Sequence, residues 1–272
     1  MKKVAIDFGT TNTVVAVWRE ATGAPETVRL AGLGANGASG QAWLVPSRLY
    51  VQDGAASHGA GIIAGQAVAG GGYDVQGDER YFASFKRGIA ARSRPLARVI
   101  DGAEWDEARA GEAFLRAVLA AVREQEGGID ELILTVPVQS FERYLQWLRD
   151  ETALVSGERV QRVRVVDEST AAALGYDVRT PGELILVVDF GGGTLDVSLV
   201  RMPVAEEGSG VVLQDDNRQP RRAARGGDVE ARVIAKAGRV LGGDDVDHWL
   251  LEELLERTGA SRAEVGDVYS QL

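Results

Sequence analysis

The chain has 272 residues, 45% of them hydrophobic and 26% charged, the proportions of a globular protein long enough for one large domain or two lobes. Forty acidic side chains against thirty basic ones leave a net charge of -10, a field that repels nucleic acid and anionic membrane surfaces. The sequence has no cysteine, which removes disulfides and thiolate metal sites, and its two histidines, His58 and His248, lie too far apart to assemble a zinc site.

Lys3 to Phe8 and Thr13 to Trp18 are β-branched runs around Gly9, Thr10, Thr11 and Asn12, which predicts an opening hairpin with a glycine-started turn. Asp7 breaks the apolar stretch behind Lys2 and Lys3 too early for a secretory leader, and no run approaches the roughly eighteen apolar residues of a membrane span. A cytoplasmic location is therefore expected. From Ala31 to Gly72 glycine and alanine dominate, and only Ala42 to Val51 reads as strand. Tyr81 to Arg98 carries Lys86, Arg87, Arg92, Arg94 and Arg98 around Pro95 and reads as an irregular, solvated basic segment. Trp105 to Glu126 then spaces Phe114, Leu115, Val118, Leu119 and Val122 as a helix, with acidic residues early and Arg123 late.

Leu132 to Val136 is a short apolar run, the pattern of a strand covered on both faces. A helix over Ser140 to Ala153 and a strand over Val160 to Val166 follow, and Ser169 and Thr170 can cap a helix through Ala171 to Gly175. Gly182 to Arg201 is a second pair of strand runs, and its centre repeats the start of the chain. Ile6-Asp7-Phe8-Gly9-Thr10-Thr11 has its counterpart in Val188-Asp189-Phe190-Gly191-Gly192-Gly193-Thr194. Pro203 to Gly227 reads as polar loop, with its basic stretch Arg218 to Arg225 solvated, before strand-like Val229 to Lys236. Gly242 and Gly243 open an acidic-started helix marked by Val246, Trp249, Leu250 and Leu254, and Ser261 to Leu272 sets Val265, Val268 and Leu272 on one helical face. The five tryptophans, Trp18, Trp43, Trp105, Trp147 and Trp249, show no stacking spacing and read as core or lobe-edge residues.

A phosphate chain needs several backbone N–H donors converging at close range, which a glycine turn supplies because no Cβ blocks approach. Thr10, Thr11 and Thr194 add hydroxyl donors. An aspartate at a strand end suits magnesium, which takes one or two carboxylates together with water and phosphate oxygens. Two such turns facing each other would hold phosphates from both sides. The Walker A pattern is absent, and the Asp-Phe-Gly triplets lack the other kinase motifs.

Asp7 to Thr13, Asp189 to Ser198 and Glu168 to Tyr176 resemble three signatures of the seventy-kilodalton heat-shock chaperone family, in order along the chain. Leu134-Thr135-Val136-Pro137 and Leu241 to Asp247 also resemble family segments, so the likeness covers nearly the whole chain. The resemblance implies the α/β actin-like ATPase fold of duplicated ribonuclease H-like lobes. A first lobe would span about 1–180, with a loop-rich insertion at about 40–100, and a partial second lobe about 181–272. It implies a chaperone-type ATP hydrolase using ATP/ADP and Mg2+, with Asp7 and Asp189 holding the metal's water shell. Gly9, Thr10, Thr11, Asn12, Gly191, Gly192, Gly193 and Thr194 would bind phosphates, and Gly242 and Gly243 would line the same cleft. Lys86 takes the place of the lysine that reaches the γ-phosphate and orients water, and Glu168 that of the glutamate used in hydrolysis and lobe coupling. A glutamate at a helix start also answers the helix dipole. Asp196 either orders the second turn or activates water. The implied partners are nucleotide and, through a domain beyond this chain, co-chaperones and unfolded polypeptide.

Two departures stand out. The family's Asn-Glu-Pro-Thr is Asp167-Glu168-Ser169-Thr170 here, without the proline that transmits lobe motion. The chain also ends at Leu272, ahead of the family segments that grip adenosine, so an incomplete second lobe and weak or absent turnover are expected. An actin-like filament or scaffold ATPase, a sugar or acetate kinase of the same superfold, and an inactive remnant are the competing readings.

Overall fold

The computed structural model describes residues 1–34, 43–56, 60–75, 77–91, 95–137, 144–148, 150, 160, 162–175, 180, 182–202, 211–212, 229–230 and 232–261. Strands β1 (Lys3–Phe8) and β2 (Asn12–Arg19) pair antiparallel, with Val4 opposite Val17 and Phe8 opposite Thr13. Val4, Ile6 and Phe8 are buried, as period-two alternation requires of a strand with one face on a core. Strands β3 (Ala24–Thr27) and β4 (Leu44–Pro46) both pair with β2. The single strand expected over Ala42 to Val51 is instead two, because Ser47 turns the chain out of this sheet. Its backbone N–H bonds Thr11, and β5 (Arg48–Val51) goes on to pair with β6 (Ile62–Ala64) and β7 (Tyr81–Ala83). Helix α1 (Gln66–Gly70) lies between β6 and β7.

The segment Tyr81 to Arg98 corrects the sequence reading. It is not an irregular basic loop: after β7 comes helix α2 (Phe85–Ala90), with Phe85, Lys86 and Ile89 buried, and Arg98 opens β8 (Arg98–Ile100), paired with β9 (Ala103–Trp105). Arg92 and Arg94 lie outside the described residues. Helix α3 (Glu107–Glu126) begins just past Trp105, where the Asp106 carboxylate accepts the Arg109 N–H at 2.8 Å, and ends at Gly127 with φ +84. Its stripe of Phe114, Leu115, Val118, Leu119 and Val122 is buried in the main core, where the Phe8 ring sits 5.7 Å from Phe85 and 5.9 Å from Phe114. Of the helix expected over Ser140 to Ala153, residues 144–148 (α4) are helical; most of the remainder lies outside the described residues.

Strand β10 (Glu131–Val136) runs parallel to β1, and β11 (Arg162–Asp167) parallel to β10, so the main sheet reads β11-β10-β1-β2-β3. The parallel trio β1, β10 and β11 ends on one side of the sheet, where crevices at carboxyl ends form. Helix α5 (Glu168–Gly175) follows β11 directly. Its cap is Asp167, whose carboxylate accepts the Thr170 N–H at 3.0 Å, in place of the expected Ser169 or Thr170.

A second sheet joins β12 (Leu184–Phe190), β13 (Leu195–Arg201) and, after the short parallel pair β14 (Val211–Val212) and β15 (Val229–Glu230), β16 (Arg232–Arg239). All its pairs are antiparallel, in the order β12-β13-β16. The expected strand Val229 to Lys236 is thus divided between β15 and β16. Helix α5 covers one face over a small core of Ala173, Val200 and Met202 with Ile185 and Val187. Helix α6 (Gly243–Thr258) closes the described chain. Trp105 and Trp147 are core residues, whereas Trp18 and Trp249 are exposed. Arg218 to Arg225 and the stripe Val265, Val268 and Leu272 lie outside the described residues, and among the described residues no helix is long and apolar enough to cross a membrane.

Candidate functional site

Asp7 is the penultimate residue of β1, and its Oδ1 accepts the Thr135 hydroxyl at 2.7 Å across the parallel neighbour β10. Asp189 holds the equivalent place in β12, one residue before Phe190. Glu168 opens α5 straight off β11. Lys86 reaches it from α2, with Nζ 2.6 Å from Glu168 Oε1, and both side chains are largely withdrawn from solvent. The Tyr144 ring lies 5.5 Å from the ammonium, a cation–π contact from a fully buried side.

The charges of this group act on one another. Burial pushes the Glu168 carboxyl up to about 7; Lys86 opposes the rise, and the negative fields of Asp7 and Asp189 add to it. Burial and then Asp7 also raise the Asp189 carboxyl above the usual carboxylate range, while Lys86 draws it back. The Tyr144 phenol is pushed up by burial, then by Glu168 and Asp7. Glu168, Asp7, Asp189 and Lys86 therefore share one electrostatic neighbourhood.

The two glycine turns face each other across it. In the first, Ser47 Oγ donates to the Gly9 carbonyl at 2.8 Å and meets the Thr13 hydroxyl at 3.0 Å. In the second, the Gly191 N–H bonds the Thr194 carbonyl at 2.9 Å. A methyl on Gly193 would lie 2.9 Å from Thr10 Oγ1, and one on Gly192 would overlap the Thr11 hydroxyl. The first turn of α6 closes on the same place, with Gly243 N–H to the Gly191 carbonyl at 2.9 Å and Asp244 N–H to the Gly192 carbonyl at 3.0 Å. A Cβ at Gly242 would overlap the Gly192 backbone. Asn12 starts β2 beside the first turn.

Asp196 lies opposite Asp189 in the β12–β13 register and is buried. The Ser198 hydroxyl, two residues on, meets that of Ser169 at 2.7 Å and ties the second sheet to α5. The structure thus gathers Asp7, Lys86, Glu168, Asp189, both turns and the Gly242-Gly243 pair, with Asp196 behind Asp189. Sequence reasoning named Thr135 only as part of the family-like Leu134 to Pro137 segment and gave it no role. It also placed Tyr144 simply on an apolar helix face. It missed the bridge from α2 to α6 entirely: Ser84 Oγ donates to Asp244 at 2.7 Å, and Arg87 pairs with Asp245 at 2.6 Å, holding that carboxyl below the usual range.

Among the described residues no cluster of three or more His, Asp or Glu side chains is placed to hold a metal. The two aspartates fit only a cation content with few protein ligands and retained water, which is magnesium's habit. The opposed turns bring glycine backbone together with the Thr10 and Thr11 hydroxyls, a donor set suited to phosphate oxygens, and they lie so close that a methyl on Gly192 or Gly193 would meet those threonines.

Fold and site together define a mixed α/β protein in which two acidic glycine turns, one from each of two sheets, face each other. The family model described as Hsp70 protein matches residues 99–211. Chaperone protein HscA of Enterobacter sp. (strain 638) is 30% identical over 277 residues, covering 96% of this chain and 39% of that protein. Chaperone protein DnaK of Thermosipho melanesiensis is 29% identical over 269 residues, 96% of this chain and 37% of the relative. These matches support an Hsp70-family nucleotide-binding domain fragment. The chain spans about two-fifths of the length of these relatives. The family implies an actin-like ATPase fold, and the mixed α/β sheets agree with it at that level.

Proposed function

We propose that this chain is the ATP-binding and ATP-hydrolysing module of a cytoplasmic heat-shock-type chaperone, built on two related lobes that meet at the cleft. The observation that carries the reading is the meeting of two aspartate-ended glycine turns beside the buried Lys86–Glu168 pair. Asp7 and Asp189 would hold magnesium through its waters, and magnesium supplies charge neutralisation to the phosphates. Backbone N–H groups and hydroxyls of Gly9 to Asn12 and Gly191 to Thr194 bind the β- and γ-phosphates, with Gly242 and Gly243 forming the cleft wall.

Hydrolysis is in-line attack of water on the γ-phosphorus, catalysed mainly by positioning and charge. Lys86 offers its ammonium to the γ-phosphate oxygens and to the attacking water. Glu168, half ionised near neutral pH, takes up the proton that water releases. Thr135 fixes the Asp7 carboxylate. Co-chaperones and unfolded polypeptide are partners of the whole protein under this reading.

The test is phosphate release from ATP with and without magnesium. Asp189→Ala is expected to lower magnesium-dependent turnover at least about a hundredfold, the scale of losing one electrostatic element of a site. Turnover equal to that of the unaltered protein overturns the assignment.

A further inference from the structure

The first glycine turn is gripped from behind by one residue. Ser47, between β4 and β5, is buried and holds two carbonyls of the turn: its Oγ donates to the Gly9 oxygen at 2.8 Å, and its N–H to the Thr11 oxygen at 2.8 Å. The Ser47 hydroxyl proton is thereby committed to Gly9, so in the 3.0 Å contact with Thr13, also buried, it is the Thr13 hydroxyl that donates. In a trans peptide the C=O of one residue and the N–H of the next point in opposite directions. The peptides of this turn are trans, so fixing the Gly9 carbonyl on Ser47 turns the Thr10 N–H away from it, and fixing the Thr11 carbonyl turns the Asn12 N–H away likewise.

The second turn is held by the same device made from different parts. The Gly243 and Asp244 N–H groups, donors that a helix start leaves without an intrahelical partner, bond the Gly191 and Gly192 carbonyls, which turns the Gly192 and Gly193 N–H groups away from α6. In both turns another segment occupies the carbonyls and leaves N–H groups on the opposite side, an arrangement that suits an anion. The first turn needs its clamp because the residue acted on is glycine. A Cβ at Gly9 would overlap the Asn12 carbonyl, so the turn admits no side chain there, and glycine lets the following peptide rotate with little resistance. Without Ser47 Oγ the Gly9 carbonyl lacks its donor, and rotating toward water satisfies it while carrying the Thr10 N–H out of line.

We propose that Ser47 is a positioning residue of the site, fixing the first turn so that the Thr10 and Asn12 N–H groups together face the oxygens of a phosphate chain. Ser47 acts through the two carbonyls and not by touching the ligand. The role rests on the reading that the turns bind the phosphates of ATP, and it names what orients their donors.

Titration with magnesium–ATP, followed through the backbone amide resonances by nuclear magnetic resonance, tests it. In the unaltered protein the Thr10 and Asn12 amides should shift as the ligand saturates. Ser47→Ala removes the bond from Oγ and keeps the one from the Ser47 N–H, so Kd should rise at least about tenfold, the scale of one hydrogen bond to a charged group. The Thr10 amide should then lose most of its shift while Asn12 keeps its own. Thr13→Val removes a buried hydroxyl from the same cluster but leaves Ser47 on Gly9, so its Kd should stay within about twofold of the unaltered value. Each change deletes one hydroxyl, and circular dichroism should show both variants folded. A Kd for Ser47→Ala equal to the unaltered value, or equal losses in the two variants, overturns the role of Ser47 and leaves the phosphate reading standing. An unaltered protein whose resonances do not respond to about 10 mM magnesium–ATP, a level that would detect even millimolar affinity, overturns both.

Discussion

Replacing Lys86 with Met keeps the stem of the side chain and removes the ammonium 2.6 Å from Glu168. In the unaltered protein the Glu168 carboxyl is raised from 4.5 to about 7, so between those values the folded state holds a proton that the unfolded state has lost. Stability contributed by this group is therefore complete below the ordinary carboxylate range and falls as pH rises through about 7, where the fall levels off. At about 1.4 kcal/mol per unit the loss amounts to about 3 kcal/mol. Without Lys86, burial and the charges of Asp7 and Asp189 still raise the carboxyl, and nothing opposes them. The fall must then continue beyond pH 7 at the same slope. The difference between Lys86→Met and the unaltered protein should be flat from about pH 5 to 6.5 and grow above pH 7 at up to about 1.4 kcal/mol per unit, in the direction expected for breaking a buried pair. Urea unfolding followed by tryptophan fluorescence across that pH range measures it, with Glu168→Gln as background. The reasoning is refuted if the difference is independent of pH, or if it grows equally when Glu168 is already Gln.

Turnover under saturating magnesium should rise with pH through about 7 as Glu168 ionises, and Glu168→Gln should flatten that profile and lower the rate by about 10²–10⁴, read by phosphate release. Gly242→Ala places a methyl against the Gly192 backbone and should cost about 1–3 kcal/mol in a urea titration. Gly70→Ala, where a methyl meets open space at the end of α1, should instead be neutral or stabilising by up to about 1 kcal/mol. Ser84→Ala combined with Arg87→Ala removes both side-chain bonds from α2 to α6, and amide exchange over residues 243–246 should accelerate at least about tenfold.

Local periodicity showed much of this fold in advance. Val4, Ile6 and Phe8 alternate as a half-buried strand must, and the α3 stripe has one helical phase. The repeated Asp-Phe-Gly turns announced a two-sided site, because the same local chemistry appears twice whatever the tertiary arrangement. Lys86 did not announce its burial: a lysine between a phenylalanine and an arginine looks solvated until Glu168, 82 positions away, is known to neutralise it. Asp167, Ser169 and Thr170 are all capping types, and only the point where β11 ends selects the first. Likewise Leu184 to Phe190 reads as a strand, yet among the described residues α5 covers one face only, which no local pattern distinguishes.

The short helix α2 has two attachments that face different ways. Lys86 fastens it to Glu168, while its cap residue Ser84 and its third residue Arg87 hook onto the opening turn of α6. Six residues thus act as a toggle bolt through the gap. Prising α6 away from the Gly191 to Gly193 bend tugs the same short rod that carries the ammonium, so slackening of the far jaw and displacement of the lysine are mechanically one event.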